Sequence, residues 1–153
     1  MTPFFADPSK RIALLTEAAT WVGTPFHPRA DVKGKGVDCV SLAAALYRAT
    51  GLLGKFEPPQ YSIEGGMHLD DSIIEDYVRR LPEFQLMPEL TWPLARPGDL
   101  LLFRIGRIPY HVGVMLGFPM FIQALQRHGV LVSSVMDGTF SARLRAIYRP
   151  VTP

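Results

Sequence analysis

The chain has 153 residues, of which 48% are hydrophobic and 20% charged, with a single Cys and a formal net charge of +2. This length suits one domain whose core holds without disulfides or a structural metal, and the apolar content excludes a disordered chain. One Cys excludes an internal disulfide and a Cys-rich zinc site. No apolar run approaches the roughly 18 residues of a membrane helix, and the first residues lack the pattern of a secretory signal. We therefore expect one soluble domain, spanning 1–153, that carries no export signal and inserts into no membrane.

The charge is unevenly distributed along the chain. Residues 1–56 carry +3, residues 57–99 carry −6 and residues 100–153 carry +5. A middle segment of opposite sign predicts an inserted, separately exposed element at about 57–96, although an ordinary acidic surface gives the same pattern. The arginines of the basic third are scattered without aromatic residues between them, which indicates no nucleic-acid partner.

The first two predicted helices have clear boundaries. Asp7 is a good N-cap for a helix over about Pro8–Trp21, and apolar residues recur at helical spacing from Ile12 through Leu15 and Ala19 to Val22. A glycine-rich loop follows over residues 27–36, and it lacks the Gly-Lys-Ser/Thr ending of a phosphate-binding loop. A second helix is predicted from Cys39 to Gly51, with Asp38 as its N-cap.

The rest of the chain predicts one more helix and then strands. A helix capped by Asp70 or Asp71 is predicted over residues 72–81, with an apolar stripe. From Pro97 onwards the pattern changes to short apolar runs separated by Gly or Pro, at 99–103, 112–116, 120–125, 130–135 and 145–148. Helices followed by strands predict an α+β fold, with the helices packed on one face of a mostly antiparallel sheet.

Cys39 is the first candidate for chemistry. A thiol at a helix N-terminus faces unpaired N–H groups and the positive end of the helix dipole, which favour the thiolate and can hold an oxyanion. The alternative is that Cys39 is only a small buried hydrophobic residue. Its position, after a capping Asp and a glycine loop, favours a function.

A nucleophilic Cys needs a base, and the base needs an orienting acceptor. His111 begins an apolar strand after a turn, although a surface His at a strand end is common. If strands 112–116 and 120–125 pair as a hairpin with residue numbers summing to about 234, Gln123 lies opposite His111. Alternatively, Gln123 faces solvent. The four histidines are not spaced as metal ligands, so we expect neither metal nor cofactor.

These residues lie in motifs that together resemble the NlpC/P60 family of cell-wall peptidases. The motifs occur in the family's order and spacing and cover roughly residues 20–150, at Trp21–Phe26, Gly36–Leu42, Arg96–Phe103, Tyr110–Met115 and Phe121–Ala124. The resemblance is closest to the short single-domain version found in phage and gene-transfer-agent tail clusters.

The resemblance implies a reduced papain-like fold that cleaves peptidoglycan stem peptides, typically between D-glutamate and the diamino acid. It assigns Cys39 as nucleophile, His111 as base and Gln123 as the orienting residue. The remaining residues that it places around the substrate are Phe26, His27, Asp38, Ser41 and Tyr110. It implies tail-tip or hub proteins as partners and a tail particle acting at the cell wall as the setting.

Three positions depart from the family's usual residues. Val40 and Ser41 stand where Ser-Gly is usual, Phe26 stands where Tyr is usual, and Gln123 replaces the common His. A neutral amide accepts from imidazole but stabilises imidazolium less than a charged group does, so the resemblance implies a modest enzyme. Two other functions remain open: a structural tail-tip component with a buried, unreactive Cys39, and an amidase or acyltransferase of related architecture.

Overall fold

The computed structural model describes residues 1–54, 73–88, 94–105 and 108–152, and for residues 105 and 108–110 it describes the backbone alone. In chain order the elements are β1 (Thr2–Pro3), a 3-10 helix (Phe4–Ala6), α1 (Pro8–Trp21), β2 (Asp31–Val32), β3 (Gly36–Val37), α2 (Cys39–Thr50), α3 (Ile73–Arg79), β4 (Phe84–Leu86), β5 (Leu100–Ile105), β6 (Ile108–Gly117), β7 (Met120–Leu125), β8 (Gly129–Ser134), α4 (Gly138–Ser141) and β9 (Leu144–Thr152). Helices thus precede a mostly antiparallel sheet, which confirms the predicted α+β class. No helix of these residues is long and apolar enough to cross a membrane.

The main sheet is antiparallel throughout its described pairs. Its strands follow the order β9-β5-β6-β7-β8, and β1 and β4 both pair with β9. The short strands β2 and β3 form a separate hairpin, which lies within the predicted glycine-rich loop. Because β3 ends at Val37, this hairpin leads the chain directly into α2.

Predicted capping residues begin both α1 and α2 and end α2. The Asp7 carboxylate accepts a hydrogen bond from the Ser9 N–H at 2.9 Å, and the Asp38 carboxylate accepts one from the Ser41 N–H at 2.9 Å. Gly51 ends α2 in the left-handed conformation, with φ +85°, which glycine adopts without steric cost. Local capping chemistry therefore sets these helix boundaries.

The buried face of α1 differs from the apolar positions that predicted the helix. Leu14, Ala18 and Trp21 are buried, whereas Ile12 and Leu15 are 65% and 48% exposed. Leu14, Ala18 and Trp21 join the same core cluster as the apolar face of α2. Helix α1 carries two apolar stripes, so periodicity predicts the helix correctly but does not decide which stripe packs against α2.

The sheet separates two hydrophobic clusters. One contains α1, α2, α3 and one set of sheet residues, including Leu100, Leu102 and Val112. The other is smaller and contains Leu101 and Phe103 of the same strand β5, with Phe140 of α4 packed against it. Alternate residues of β5 therefore pack into the clusters on opposite faces of the sheet, as the period of two in a strand requires. Helix α2 is buried from Cys39 to Tyr47.

The register of the β6–β7 hairpin differs from the prediction. Val114 pairs with Ile122 and Met115 with Phe121, so the residue numbers sum to 236 rather than 234. The turn consists of residues 118 and 119, and the register shifts after Met115, which moves the centre of the hairpin along the chain. If the register of the Val114–Ile122 pair continues, Gln123 lies opposite residue 113. Gln123 is then a diagonal neighbour of His111 across the two strands, not its direct partner.

Most of the predicted acidic insertion at 57–96 lies outside the described residues, as do Asp70 and Asp71, and its status as an insertion remains a prediction. The described part contains α3, which agrees with the predicted helix over its seven residues. One acidic residue of α3 is buried: Glu75 accepts hydrogen bonds from the Tyr148 hydroxyl at 3.1 Å and from Arg79 at 2.9 Å. The bond from Tyr148 links α3 to strand β9, and the bond from Arg79 lies within the helix.

Candidate active site

Cys39 occupies the first position of α2 and lies against strand β6. Its side chain is almost fully buried, at 7% exposed. The backbone N–H groups of Val112, Val40 and Cys39 itself lie close enough to the sulphur to lower the pKa of the thiol. The thiol is therefore held at the junction of a helix N-terminus and the residue that follows His111.

Burial decides the protonation state of this thiol. Loss of solvent and, to a smaller extent, the nearby Asp38 carboxylate raise the pKa of Cys39 to about 12, because the three N–H groups offset only part of their effect. The expectation that the helix N-terminus favours thiolate is therefore not met in this conformation, because desolvation outweighs the hydrogen bonds. Cys39 is a neutral thiol at neutral pH.

His111 lies in β6 and is 4% exposed. Burial lowers the pKa of its imidazole to about 4, an effect that the hydrogen bond with Gln123 opposes. The distance from His111 Nε2 to Gln123 Oε1 is 2.7 Å. Because the amide oxygen only accepts, Nε2 carries the proton in this arrangement, and Nδ1 of the neutral ring is left as the basic nitrogen. The ring also packs against Phe103, with centroids 5.8 Å apart.

Ser133 extends this pair to a third strand. Gln123 is completely buried, and its Nε2 donates to Ser133 Oγ at 2.9 Å. Strand β8 thus positions the amide of β7, and the amide positions the imidazole of β6. The sequence analysis did not single out Ser133. Its signal is weak, because Ser133 and Ser134 end an apolar run, and only the β7–β8 register shows which of them faces Gln123.

Asp38 organises the backbone around the thiol. One carboxylate oxygen accepts from the Ser41 N–H, and the other accepts from the Arg29 N–H at 2.7 Å. Arg29 has a φ of +60°, a conformation unusual for a residue with a side chain. Asp38 therefore ties the loop before β2 to the first turn of α2. Asp38 and the predicted substrate contact Ser41 are both buried.

The other predicted substrate contacts are Phe26, His27 and Tyr110, and the first two lie beside strand β3. Phe26 forms an isolated bridge with Val37 and packs against the core. His27 is exposed, and its N–H donates to the Val37 carbonyl at 3.1 Å. These contacts place both residues beside β3, two residues before Cys39. The side chain of Tyr110 lies outside the described part of the chain.

The described residues offer a buried, uncharged thiol next to the backbone of the residue after His111, and a buried imidazole bonded to an amide. Among them, no group of three or more His, Cys, Asp and Glu side chains is placed to hold a metal ion. A thiol is suited to nucleophilic attack when a basic imidazole nitrogen takes its proton, and N–H groups at a helix start are suited to stabilising an oxyanion.

The sequence profile of the NlpC/P60 family matches residues 23–149, which include all three of these side chains. The chain belongs to the NlpC/P60 family. A similar curated protein is the Murein DD-endopeptidase MepS/Murein LD-carboxypeptidase of Escherichia coli strain K12, which is 25% identical over 130 residues. The matched region is 85% of this chain and 57% of that relative, so the chain spans little more than half of the relative's length.

Solved NlpC/P60 structures share the fold. A crystal structure of an NLP/P60 family protein from Staphylococcus aureus, described as similar to lipoprotein, matches with a TM-score of 0.66 at 18% identity, over 96% of this chain and 43% of that one. The NlpC/P60 domain of the peptidoglycan hydrolase SagA matches with a TM-score of 0.55 at 20% identity, over 93% of this chain and 98% of that one. These likenesses confirm the predicted NlpC/P60 architecture.

Proposed function

We propose that this protein is a cysteine endopeptidase that hydrolyses peptidoglycan stem peptides. The observation that carries the proposal is the 2.7 Å hydrogen bond between His111 Nε2 and Gln123 Oε1, in a strand whose next N–H contacts the Cys39 sulphur. Nucleophile, base and orienting acceptor thus come from adjacent elements, as acyl-transfer chemistry requires.

In this proposal the reaction proceeds through a thioester. Cys39 Sγ attacks the amide carbon while its proton passes to His111 Nδ1, and the N–H groups of Cys39 and Val40 stabilise the oxyanion. The imidazolium then protonates the departing amine as the carbon–nitrogen bond breaks. His111 next removes a proton from water, which attacks the thioester and releases the carboxylate product and the thiol.

The neutral resting state shapes this mechanism. With pKa values of about 12 for Cys39 and about 4 for His111, a standing thiolate–imidazolium pair is strongly disfavoured. Proton transfer therefore accompanies attack on bound substrate rather than preceding it. Gln123 contributes orientation, and its uncharged amide keeps the imidazolium short-lived.

The substrate class is supported by the relatives. The Escherichia coli relative is named a murein endopeptidase, and the SagA domain comes from a peptidoglycan hydrolase. Within the stem peptide we propose the bond between D-glutamate and the diamino acid, which the motif resemblance implies. The same resemblance supports a setting in a phage-like tail, where tail-tip or hub proteins carry the enzyme to the wall. Mass spectrometry of purified tail particles tests that setting, and finding the protein only outside particles contradicts it.

The function is tested by incubating purified peptidoglycan with the protein and with Cys39→Ala, followed by mass analysis of the released fragments. We expect new amino termini at the diamino acid with the unaltered protein and none with Cys39→Ala. Ser134→Ala serves as a matched control, because Ser134 lies in β8 but bonds the Met136 N–H. Fragments that persist with Cys39→Ala, or their absence from both digests, contradict the proposal.

One observation favours a second candidate, a structural component that keeps the fold without activity. Cys39 is only 7% exposed and its pKa is raised to about 12. The two candidates differ in the access that iodoacetamide has to the thiol under native conditions. If the protein is a peptidase, iodoacetamide modifies Cys39 in the folded protein, and added muropeptide slows this modification. A structural component requires modification only after unfolding.

A further inference from the structure

A separate cavity lies away from the thiol, at the corner where the first residues of the chain meet the end of β9. Its volume is about 220 Å³. Three arginines line it, Arg11 from α1, Arg96 from the turn before β5 and Arg149 from β9, together with one carboxylate, Asp99. The charged groups lining this cavity therefore sum to +2. We call this cavity the arginine pocket.

Arg149 is fixed in the arginine pocket by a two-point ion pair. Its Nε donates to Asp99 Oδ1 at 3.0 Å, and its Nη2 donates to Asp99 Oδ2 at 2.8 Å. The same Nη2 also donates to the Leu94 carbonyl at 2.9 Å. The Arg149 side chain is 11% exposed and that of Asp99 is 1% exposed. Asp99 is thus neutralised by Arg149, whose Nη1 makes no hydrogen bond with a described residue.

The other two arginines retain unused donors. Arg11 donates through Nη1 to the carbonyls of Phe5 and Ala6, at 2.8 and 3.0 Å, which aims its guanidinium. Within the described part of the chain, Nε and Nη2 of Arg11 and the whole guanidinium of Arg96 have no hydrogen-bond partner. A guanidinium held in place loses less side-chain entropy when a ligand binds, so Arg11 and Arg149 are prepared for an anion.

The walls of the arginine pocket are apolar and closely packed. Pro3, Phe5, Pro97 and Pro150 line it beside the arginines. Gly98 has a φ of +89°, and a Cβ at that position would lie 2.0 Å from Phe5 Cδ2. The turn therefore packs directly on the Phe5 ring, and only glycine permits both the backbone conformation and the contact. The cavity is formed by rigid elements before any ligand arrives.

We propose that the arginine pocket binds the carboxylate of an acidic side chain presented by a partner peptide. Guanidinium groups pair with planar carboxylates through parallel hydrogen bonds. The proline and phenylalanine walls suit the hydrocarbon stem that carries such a carboxylate, whereas a free inorganic oxyanion has no apolar part to place there. This assignment rests on the corner alone and is independent of the chemistry of Cys39.

The probe is the acetylated and amidated tripeptide Ala-Glu-Ala, titrated into the ¹⁵N-labelled protein and followed by the amide signals of Ala6, Arg96 and Asp99. The tripeptide Ala-Gln-Ala and inorganic phosphate form two further arms. We expect saturable shifts with the Glu peptide, none with the Gln peptide, and weaker binding of phosphate. Arg96→Gln is expected to raise the Kd about tenfold by removing a charged donor. It is exposed without a described side-chain partner, so the fold is retained.

The matched control is Arg143→Gln, since Arg143 is exposed and lines a different, open groove with Arg104 and Arg145. It removes the same charge and is expected to leave the Kd unchanged. Equal weakening by the two variants would show general electrostatic attraction and overturn the proposal. It is also overturned by equal binding of the Gln peptide, by a lack of saturation, or by phosphate binding as tightly as the Glu peptide.

Discussion

Two buried polar clusters lie in one sheet and are built in opposite ways. At the β9 corner, Asp99 and Arg149 are both charged and joined by two hydrogen bonds. In the β6–β8 region, His111 and Gln123 are equally buried, but the protein holds the histidine neutral. A buried ion pair must stay paired, because either charge alone is very costly. A neutral imidazole can accept a proton and release it, which suits it to chemistry.

The largest expected effect comes from a substitution that breaks the charged cluster of Asp99 and Arg149. Asp99→Asn leaves the largely buried Arg149 guanidinium, 11% exposed, without its carboxylate, and we expect the free energy of unfolding to fall by about 3 kcal/mol. Urea denaturation followed by circular dichroism measures the change. A loss no greater than that of an exposed ion pair would show that the two clusters do not differ as described.

The next effect tests the neutrality of His111. Its pKa in the folded protein, about 4, lies below the usual 6.5, so the unfolded chain takes up the proton first. Stability is therefore full above pH 6.5 and is lost as the pH falls towards 4. We expect a loss of about 2 kcal/mol between pH 7 and pH 4.5 from this residue.

Denaturation curves at the two pH values measure this loss in the unaltered protein and in His111→Gln. The variant lacks the imidazole, so its stability should fall by about 2 kcal/mol less over the same interval. Parallel pH dependences in the two proteins would place the titrating group elsewhere.

A smaller effect concerns Ser133, which positions Gln123. Ser133→Ala leaves the buried Gln123 amide short of an acceptor, and we expect about a tenfold loss of kcat/KM on muropeptide. A shift of the His111 Nε2–H proton resonance should accompany it, a readout that a merely structural residue does not affect. Ser133→Thr keeps a hydroxyl and should restore both values, whereas Ser134→Ala should change neither.

The smallest effect comes from an exposed ion pair. Arg48 Nη2 and Asp31 Oδ2 lie 2.6 Å apart, yet the two side chains are 30% and 41% exposed. We expect Asp31→Asn to change the free energy of unfolding by less than about 1 kcal/mol, in the same urea assay used for Asp99→Asn. The two values together measure how much burial adds to a carboxylate–guanidinium contact.

The parts of the fold that depend on local chemistry were predictable from the sequence. Asp7, Asp38 and Gly51 cap their helices through bonds within a few residues, so the start of α1 and both ends of α2 agree with the prediction. The face of α1 was not predictable from spacing, since Ile12 and Leu14 are equally apolar and tertiary packing selects between them. The β6–β7 register shifted because the turn and an irregularity after Met115 set it, not the strand pattern.

The candidate site likewise has features that the sequence predicts and features that only the folded chain determines. Cys39, His111 and Gln123 were predicted together because the family's motifs lie in order along the chain. In the structure His111 bonds Gln123, and the N–H of the next residue, Val112, lies against the Cys39 sulphur. Their catalytic roles remain predictions. The protonation state of Cys39 and the part played by Ser133 depend on burial and on strand pairing. Both are properties of the assembled sheet, which no single motif contains.

The backbone N–H of Val112 in strand β6 lies against the Cys39 sulphur and lowers the pKa of the thiol. That amide is a spectroscopic reporter built into the fold. Its proton frequency depends on the charge and bonding of the sulphur, so ionisation, alkylation and thioester formation should each move it differently. A single resonance from strand β6 can therefore follow the state of the nucleophile, with no label attached to the cysteine itself.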